Sequence, residues 1–147
     1  MVNLDCILMD LEIKNKEDIM YLLIHRLKMK NYIENTDDFL QTVLQRENVF
    51  PTSIGKMIAI PHGMSEQVKR PIVCFGRLKK PIIWDQTQQD SVSIVILIAV
   101  PIYCQDIHIH IISHLVRHFL HNEYVQKLLI CQKQEIYEML KEGLESK

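Results

Sequence analysis

The segment Val92–Val100, VSIVILIAV, decides the fold class of this 147-residue chain. It is apolar at nearly every position and rich in the β-branched residues that favour strands. A strand with apolar side chains on both faces is expected to be covered on both faces by helices. The segments Ile58–Ile60 and Ile72–Leu78 are also rich in β-branched residues and are bounded by proline, glycine or polar turns. We therefore predict that the middle of the chain forms a sheet.

The first third of the chain is predicted to be mostly helical after an apolar start, Cys6–Leu11. Asn15 is the predicted N-cap of a first helix, because a periodic apolar run follows at Ile19–Leu27. Thr36 is the predicted cap of a second helix, with apolar residues on one side at Phe39, Leu40, Val43 and Leu44.

The last third returns to helical periodicity. Three helices are predicted, at about Asp106–His121, Glu123–Ile130 and Gln134–Leu144. Helices, then strands, then helices again indicate an α/β fold, in which a mixed sheet of about five strands has helices on both faces. A chain of this length is expected to form a single domain over residues 1–147.

Charge and composition exclude several classes of function. The net charge of −1 offers no general attraction to nucleic acid. The longest apolar run, Ile94–Ile102, is too short to cross a bilayer as a helix, so no membrane insertion is expected. No signal peptide is recognisable, which favours a cytoplasmic location. The scattered cysteines fit free thiols in a reducing compartment; they are Cys6, Cys74, Cys104 and Cys131.

His62 follows a predicted strand in the segment IAIPHG, Ile58–Gly63. Pro61 has no N–H and a fixed φ, so strand pairing is expected to end there and to present His62 from a stiff support. Gly63 adds no side chain and tolerates positive φ, which would let a bulky group approach the imidazole. The same three residues fit equally well an ordinary turn that contains a histidine.

The segment from Asp106 to His121 contains five more histidines, and one of them differs from the others. On a helical wheel His108 lies on the apolar face, as either a core residue or a partner for His62. The rest form a stripe beside Arg117, for which we favour a solvated face over a metal site; they are His110, His114, His118 and His121. No acidic residue or cysteine joins that stripe, which argues against a metal-dependent hydrolase.

The motifs of nucleotide-binding, zinc-protease and serine-hydrolase sites are all missing from the sequence. The sequence therefore predicts neither a cofactor nor a catalytic metal. What remains suits covalent catalysis on an imidazole, in which His62 accepts a group and hands it on.

With its neighbours, the segment around His62 resembles the enzyme IIA domains of the fructose–mannitol class, which belong to the bacterial phosphoenolpyruvate-dependent sugar phosphotransferase system. The motifs that carry the resemblance occur in a fixed order over nearly the whole chain: REN (46–48), PTSIG (51–55), IAIPHG (58–63), KKPIIW (79–84), SIVILIAVP (93–101) and HIHIISHL (108–115).

The resemblance implies that His62 carries a phosphoryl group and that His108 and Arg46 line its site. It implies a mixed sheet with helices on both faces. It also implies two protein partners, the phosphocarrier HPr as donor and an enzyme IIB as acceptor. An alternative remains open, since domains of this kind also act as regulatory modules in which phosphorylation of His62 reports nutrient state.

Overall fold

The computed structural model describes residues 1–145, which form one mixed sheet between two layers of helices. The elements in chain order are β1 (Val2–Leu11), α1 (Lys16–Met29), α2 (Thr36–Val49), β2 (Ile58–Ala59), β3 (His62–Ser65), β4 (Ile72–Asp85), β5 (Asp90–Pro101), α3 (Gln105–Phe119), α4 (Asn122–Ile130) and α5 (Lys133–Glu145).

The sheet has five strands, with β5 paired on both sides. β4 pairs antiparallel with β5 and parallel with β1 on its other side. The two short strands β2 and β3 both pair parallel with the remaining edge of β5. The predicted mixed sheet of about five strands is thereby confirmed.

Side chains of β5 alternate between two separate apolar cores. Val95, Leu97 and Ala99 belong to the core under α1 and α2. Ile94, Ile96 and Ile98 belong to the core under α3, α4 and α5. All six are fully buried, as the sequence of this strand predicts for a sheet covered on both faces.

The predicted helices occur within a few residues of their expected bounds, and one of the two predicted caps is correct. The side-chain oxygen of Asn15 accepts from the Asp18 N–H at 2.9 Å and caps α1. The predicted cap of α2 is wrong by one residue, since Asn35, not Thr36, accepts from the Asp38 N–H at 3.0 Å. Asparagine and threonine both suit this position, and the sequence offers them side by side.

No secondary structure was predicted for the apolar start of the chain, which is part of the sheet. Cys6–Leu11 is the second half of β1, a ten-residue strand at the edge of the sheet. An apolar segment this short would span fewer than two turns of helix, so its periodicity alone does not distinguish a strand from a helix. None of the helices within residues 1–145 combines the length and apolar character needed to cross a membrane.

Candidate active site

His62 lies in an interrupted strand at the edge of the sheet. β2 pairs with β5 at Ile58 and Ala59, and pairing resumes at His62, which is level with Ile98. The expectation that pairing ends at Pro61 is therefore wrong. Proline lacks only the donor, and its carbonyl still accepts from the Ile98 N–H at 3.0 Å.

A backbone hydrogen bond fixes the imidazole of His62. Its Nδ1 lies 2.9 Å from the carbonyl oxygen of Ile60, across the proline. A carbonyl can only accept, so Nδ1 carries the proton and Nε2 keeps its lone pair. The Ile60 N–H donates to the Thr52 carbonyl at 3.1 Å, beside the antiparallel bridge between Ser53 and Ala59.

Gly63 has a different role from the one predicted. Its φ is not positive, and it is buried against α2. A Cβ at this position would lie 3.2 Å from the Thr42 methyl and 3.3 Å from side-chain atoms of Phe39 and Val43. Gly63 therefore lets β3 pack closely on α2 and does not clear the approach to His62.

His108 lies in the first turn of α3, and the fold brings its ring against that of His62. The ring centroids are 5.1 Å apart and the ring planes are inclined by 52°. The Nε2 atom of His108 is buried and forms no hydrogen bond with any group of residues 1–145. This ring nitrogen has lost its water without gaining a partner, which suits a group that binds something absent from the free protein.

Arg46 occupies the last turn of α2 and contributes positive charge to the site. Its Nη1 donates to the Phe50 carbonyl at 2.8 Å, which holds the guanidinium across the end of the helix. Burial lowers the pKa of His62, the hydrogen bond to Ile60 opposes this by raising it, and the charge of Arg46 lowers it further. The pKa of His108 is lowered by burial, then by His62 and Arg46. Both shifts favour the neutral form of the two rings at neutral pH.

Glu47, next to Arg46, is a buried carboxylate for which the sequence predicted no role. It is 2% exposed and accepts from the Thr52 N–H at 2.9 Å, the Thr52 hydroxyl at 2.7 Å and the Trp84 indole N–H at 2.6 Å. The three residues lie in three of the motifs quoted above, but only the fold shows that they meet.

The histidine stripe on α3 is only partly solvated. His110 and His121 are exposed as predicted, whereas His114 and His118 are half-buried, which corrects that prediction. The ring of His118 stacks on Tyr124 at 4.9 Å, because α4 folds back on α3. Among residues 1–145 no three His, Cys, Asp or Glu side chains are placed to hold a metal ion together.

Comparison with known proteins identifies the class to which this fold and site belong. Residues 1–143 match the family described as phosphoenolpyruvate-dependent sugar phosphotransferase system, EIIA 2. The chain is 32% identical over 115 residues to the fructose-like EIIA component of Escherichia coli, an alignment that covers 78% of each protein.

Two solved structures share the fold. The nitrogen regulatory protein IIA-Ntr of Neisseria meningitidis has a TM-score of 0.87 at 24% identity and covers 95% of both chains. Mannitol enzyme IIA of Escherichia coli, in complex with phosphorylated enzyme IIB, has a TM-score of 0.81 at 23% identity and covers 95% of this chain.

The chain belongs to the EIIA 2 family of the phosphoenolpyruvate-dependent sugar phosphotransferase system. It is thus a phosphocarrier of that system. Several other relatives are much longer proteins, such as multiphosphoryl transfer protein 1 of Escherichia coli, and the chain spans 15% of their length.

Proposed function

We propose that the chain accepts a phosphoryl group from HPr on Nε2 of His62 and passes it to a sugar-specific enzyme IIB. The observation that carries the proposal is the hydrogen bond from His62 Nδ1 to the Ile60 carbonyl, which leaves Nε2 as the free nucleophilic atom. The phosphoryl group of this system comes from phosphoenolpyruvate, so the transfer takes place in the cytoplasm. Residues 1–147 act in it as a single domain.

The transfer needs no proton movement at His62. The Nε2 lone pair forms the new bond to phosphorus, and the bond from phosphorus to the donor side chain breaks with its electron pair left on the donor. The imidazole becomes positively charged, and its Nδ1–H still donates to the Ile60 carbonyl. Transfer to the next protein reverses these steps. Catalysis is then mainly positioning and charge stabilisation.

The neighbours of His62 suit stabilisation of the transferred group. The Nε2 of His108 is buried without a hydrogen-bond partner, and a turn of its ring toward a bound phosphoryl oxygen would give it one, as donor in the tautomer that carries the proton there. The guanidinium of Arg46 offsets the negative charge of the group, as arginine does in phosphate sites. Both interactions form only when the phosphoryl group is bound to His62, because that group is the partner of His108 and of Arg46.

Exposed apolar side chains on the segments that carry the site residues suit docking of partner proteins. Phe50, whose carbonyl holds Arg46, is 58% exposed, and Ile109, next to His108, is 66% exposed. Tyr103, in the loop before α3, is 79% exposed. A surface that must bind HPr and enzyme IIB in turn is expected to expose apolar residues around the reacting atom.

A reconstituted transfer tests the proposal. The purified chain is incubated with phosphoenolpyruvate, enzyme I and HPr, re-isolated, and mixed with a panel of enzyme IIB proteins. We expect a phosphoryl group to appear on the chain only when HPr is present and to move to one of the enzyme IIB proteins. Phosphorylation without HPr would contradict the proposed donor.

The regulatory alternative uses the same acceptor and differs in the fate of the phosphoryl group. The sequence likeness to an EIIA component named for fructose favours the transport role. A chain that is phosphorylated by HPr but donates to no enzyme IIB of the panel would favour the regulatory role.

A further inference from the structure

Glu47 is an unusual residue to find in an apolar core. Its carboxylate is almost fully buried, and its three hydrogen bonds come from uncharged groups of Thr52 and Trp84. Burial of a charge is costly unless hydrogen bonds compensate for it, and an apolar residue of similar size would avoid the cost. The carboxylate therefore calls for a reason beyond packing.

A chain of hydrogen bonds leads from Glu47 to the imidazole of His62. The carboxylate holds both the N–H and the hydroxyl of Thr52. The Thr52 carbonyl accepts from the Ile60 N–H at 3.1 Å, and the Ile60 carbonyl accepts from His62 Nδ1 at 2.9 Å. The N–H and the carbonyl of Ile60 belong to consecutive peptide groups joined at its Cα, so the place of the carbonyl that holds His62 Nδ1 is tied to Thr52, which Glu47 holds.

The same carboxylate ties three parts of the site together. Glu47 lies in the last turn of α2, next to Arg46, while Trp84 anchors it to β4. Thr52 belongs to the loop that leads to the interrupted strand of His62. The negative charge of Glu47 also acts on His62 directly, raising its pKa against the effects of burial and Arg46.

We propose that Glu47 is the positioning residue of the phosphoryl acceptor, fixing the placement and the Nδ1–H tautomer of His62 through Thr52 and Ile60. The proposal rests on the function proposed above. It assigns Glu47 no contact with the phosphoryl group: Glu47 acts mainly through the geometry of His62, and its charge adds a smaller effect on the pKa of His62. An acceptor nitrogen that is misplaced or protonated in the wrong tautomer cannot attack phosphorus in line.

Two variants of Glu47 separate this role from stability. In Glu47→Gln the amide oxygen still accepts from Thr52 N–H and Trp84, and the Thr52 hydroxyl can reverse to accept from the amide NH₂. We expect its transfer rate to stay near the wild-type rate. In Glu47→Met all three bonds are lost, and we expect phosphoryl acceptance to slow by roughly 10- to 100-fold. Nitrogen NMR of the imidazole should then show a mixture of His62 tautomers in place of one.

A milder pair of variants covers the case in which Glu47→Met does not fold. Thr52→Val loses only the hydroxyl bond, and we expect about threefold to tenfold slower acceptance with a mixed tautomer. The control is Ser53→Ala, the next residue of the same loop, whose hydroxyl donates to the Asp90 carboxylate at 2.9 Å. We expect this control to keep the wild-type rate and the single tautomer.

The outcomes are distinct. A folded Glu47→Met with the wild-type rate and a single Nδ1–H tautomer would overturn the proposal, as would a Ser53→Ala that slows as much as Thr52→Val. The tautomer measurement needs no phosphoryl donor. If the wild type itself accepts no phosphoryl group, the proposed function fails, while the spectra still decide whether Glu47 positions His62.

Discussion

The rings of His62 and His108 lie against each other, with centroids 5.1 Å apart, although one belongs to the sheet edge and the other to α3. The pairing depends on β3 and β5 being neighbours, since α3 begins shortly after β5 ends. Both rings are partly removed from water, and the charge of Arg46 acts on both. The two histidines are therefore expected to respond together when the site is changed.

The first prediction concerns pH. The pKa of His62 is lowered from 6.5 by burial and by Arg46, so its ring stays neutral until the pH falls below 6.5. Only the neutral ring has the lone pair that attacks phosphorus, so acceptance should be constant near neutral pH and decline in more acidic solution. An NMR titration of His62 in the unphosphorylated chain measures the midpoint directly. A midpoint at or above 6.5 would contradict the account.

The second prediction concerns Arg46. Arg46→Met removes a charge that lowers the pKa of both histidines, so the midpoints of His62 and His108 should rise. Arg46→Lys keeps the charge but loses the planar fork, so it should slow transfer while the midpoints stay low. Rates and titrations of the two variants are compared with the wild type. Unchanged rates in both variants would show that Arg46 has a purely structural role.

The third prediction concerns His108. Its Nε2 has no partner in the part of the chain that the structure describes, which suits a donor to the phosphoryl group. Because His62 is the acceptor, His108→Ala should still be phosphorylated, at a rate roughly 10- to 100-fold lower. Single-turnover transfer from phosphorylated HPr measures the rate. The control is His121→Ala, which changes an exposed histidine between α3 and α4, and this variant should transfer at the wild-type rate. Equal slowing in both variants would count against a role for His108.

The fourth prediction concerns Gly63. Its place against Phe39, Thr42 and Val43 leaves no room for a methyl group without a shift of a few tenths of an ångström. Gly63→Ala should therefore lower the free energy of unfolding, by about 1–3 kcal/mol, as overpacking does elsewhere. Denaturant unfolding measures the change. A variant as stable as the wild type would show that α2 and β3 can move apart at no cost.

The sequence was sufficient to predict the sheet and its two helical layers, because Val92–Val100 is apolar on both faces. β1 was missed because an apolar edge strand without turn residues looks locally like a short helix. The resumption of pairing at His62 was missed for another reason. Pro61 shows only that one hydrogen-bond donor is missing. Its carbonyl keeps the strand paired by accepting from the N–H of Ile98 in β5, which is distant in sequence.

The residues of the site were predictable to different degrees. The strand-end motif indicated His62 as a candidate, and the resemblance supplied roles for His108 and Arg46. The role of Glu47 could not be predicted, because nothing in the sequence separates a buried carboxylate from a solvated one. Only the fold brings Thr52 and Trp84 against it. His118 was taken as solvated for the same reason, since Tyr124 covers it from the next helix.

Intact-mass measurement tests whether His62 alone carries the phosphoryl group. The wild-type chain and His62→Ala are each incubated with phosphoenolpyruvate, enzyme I and HPr. We expect a gain of about 80 Da in the wild type, labile in acid as a phosphoramidate is, and no gain in His62→Ala. The same gain in His62→Ala would contradict the account and place the acceptor on another residue.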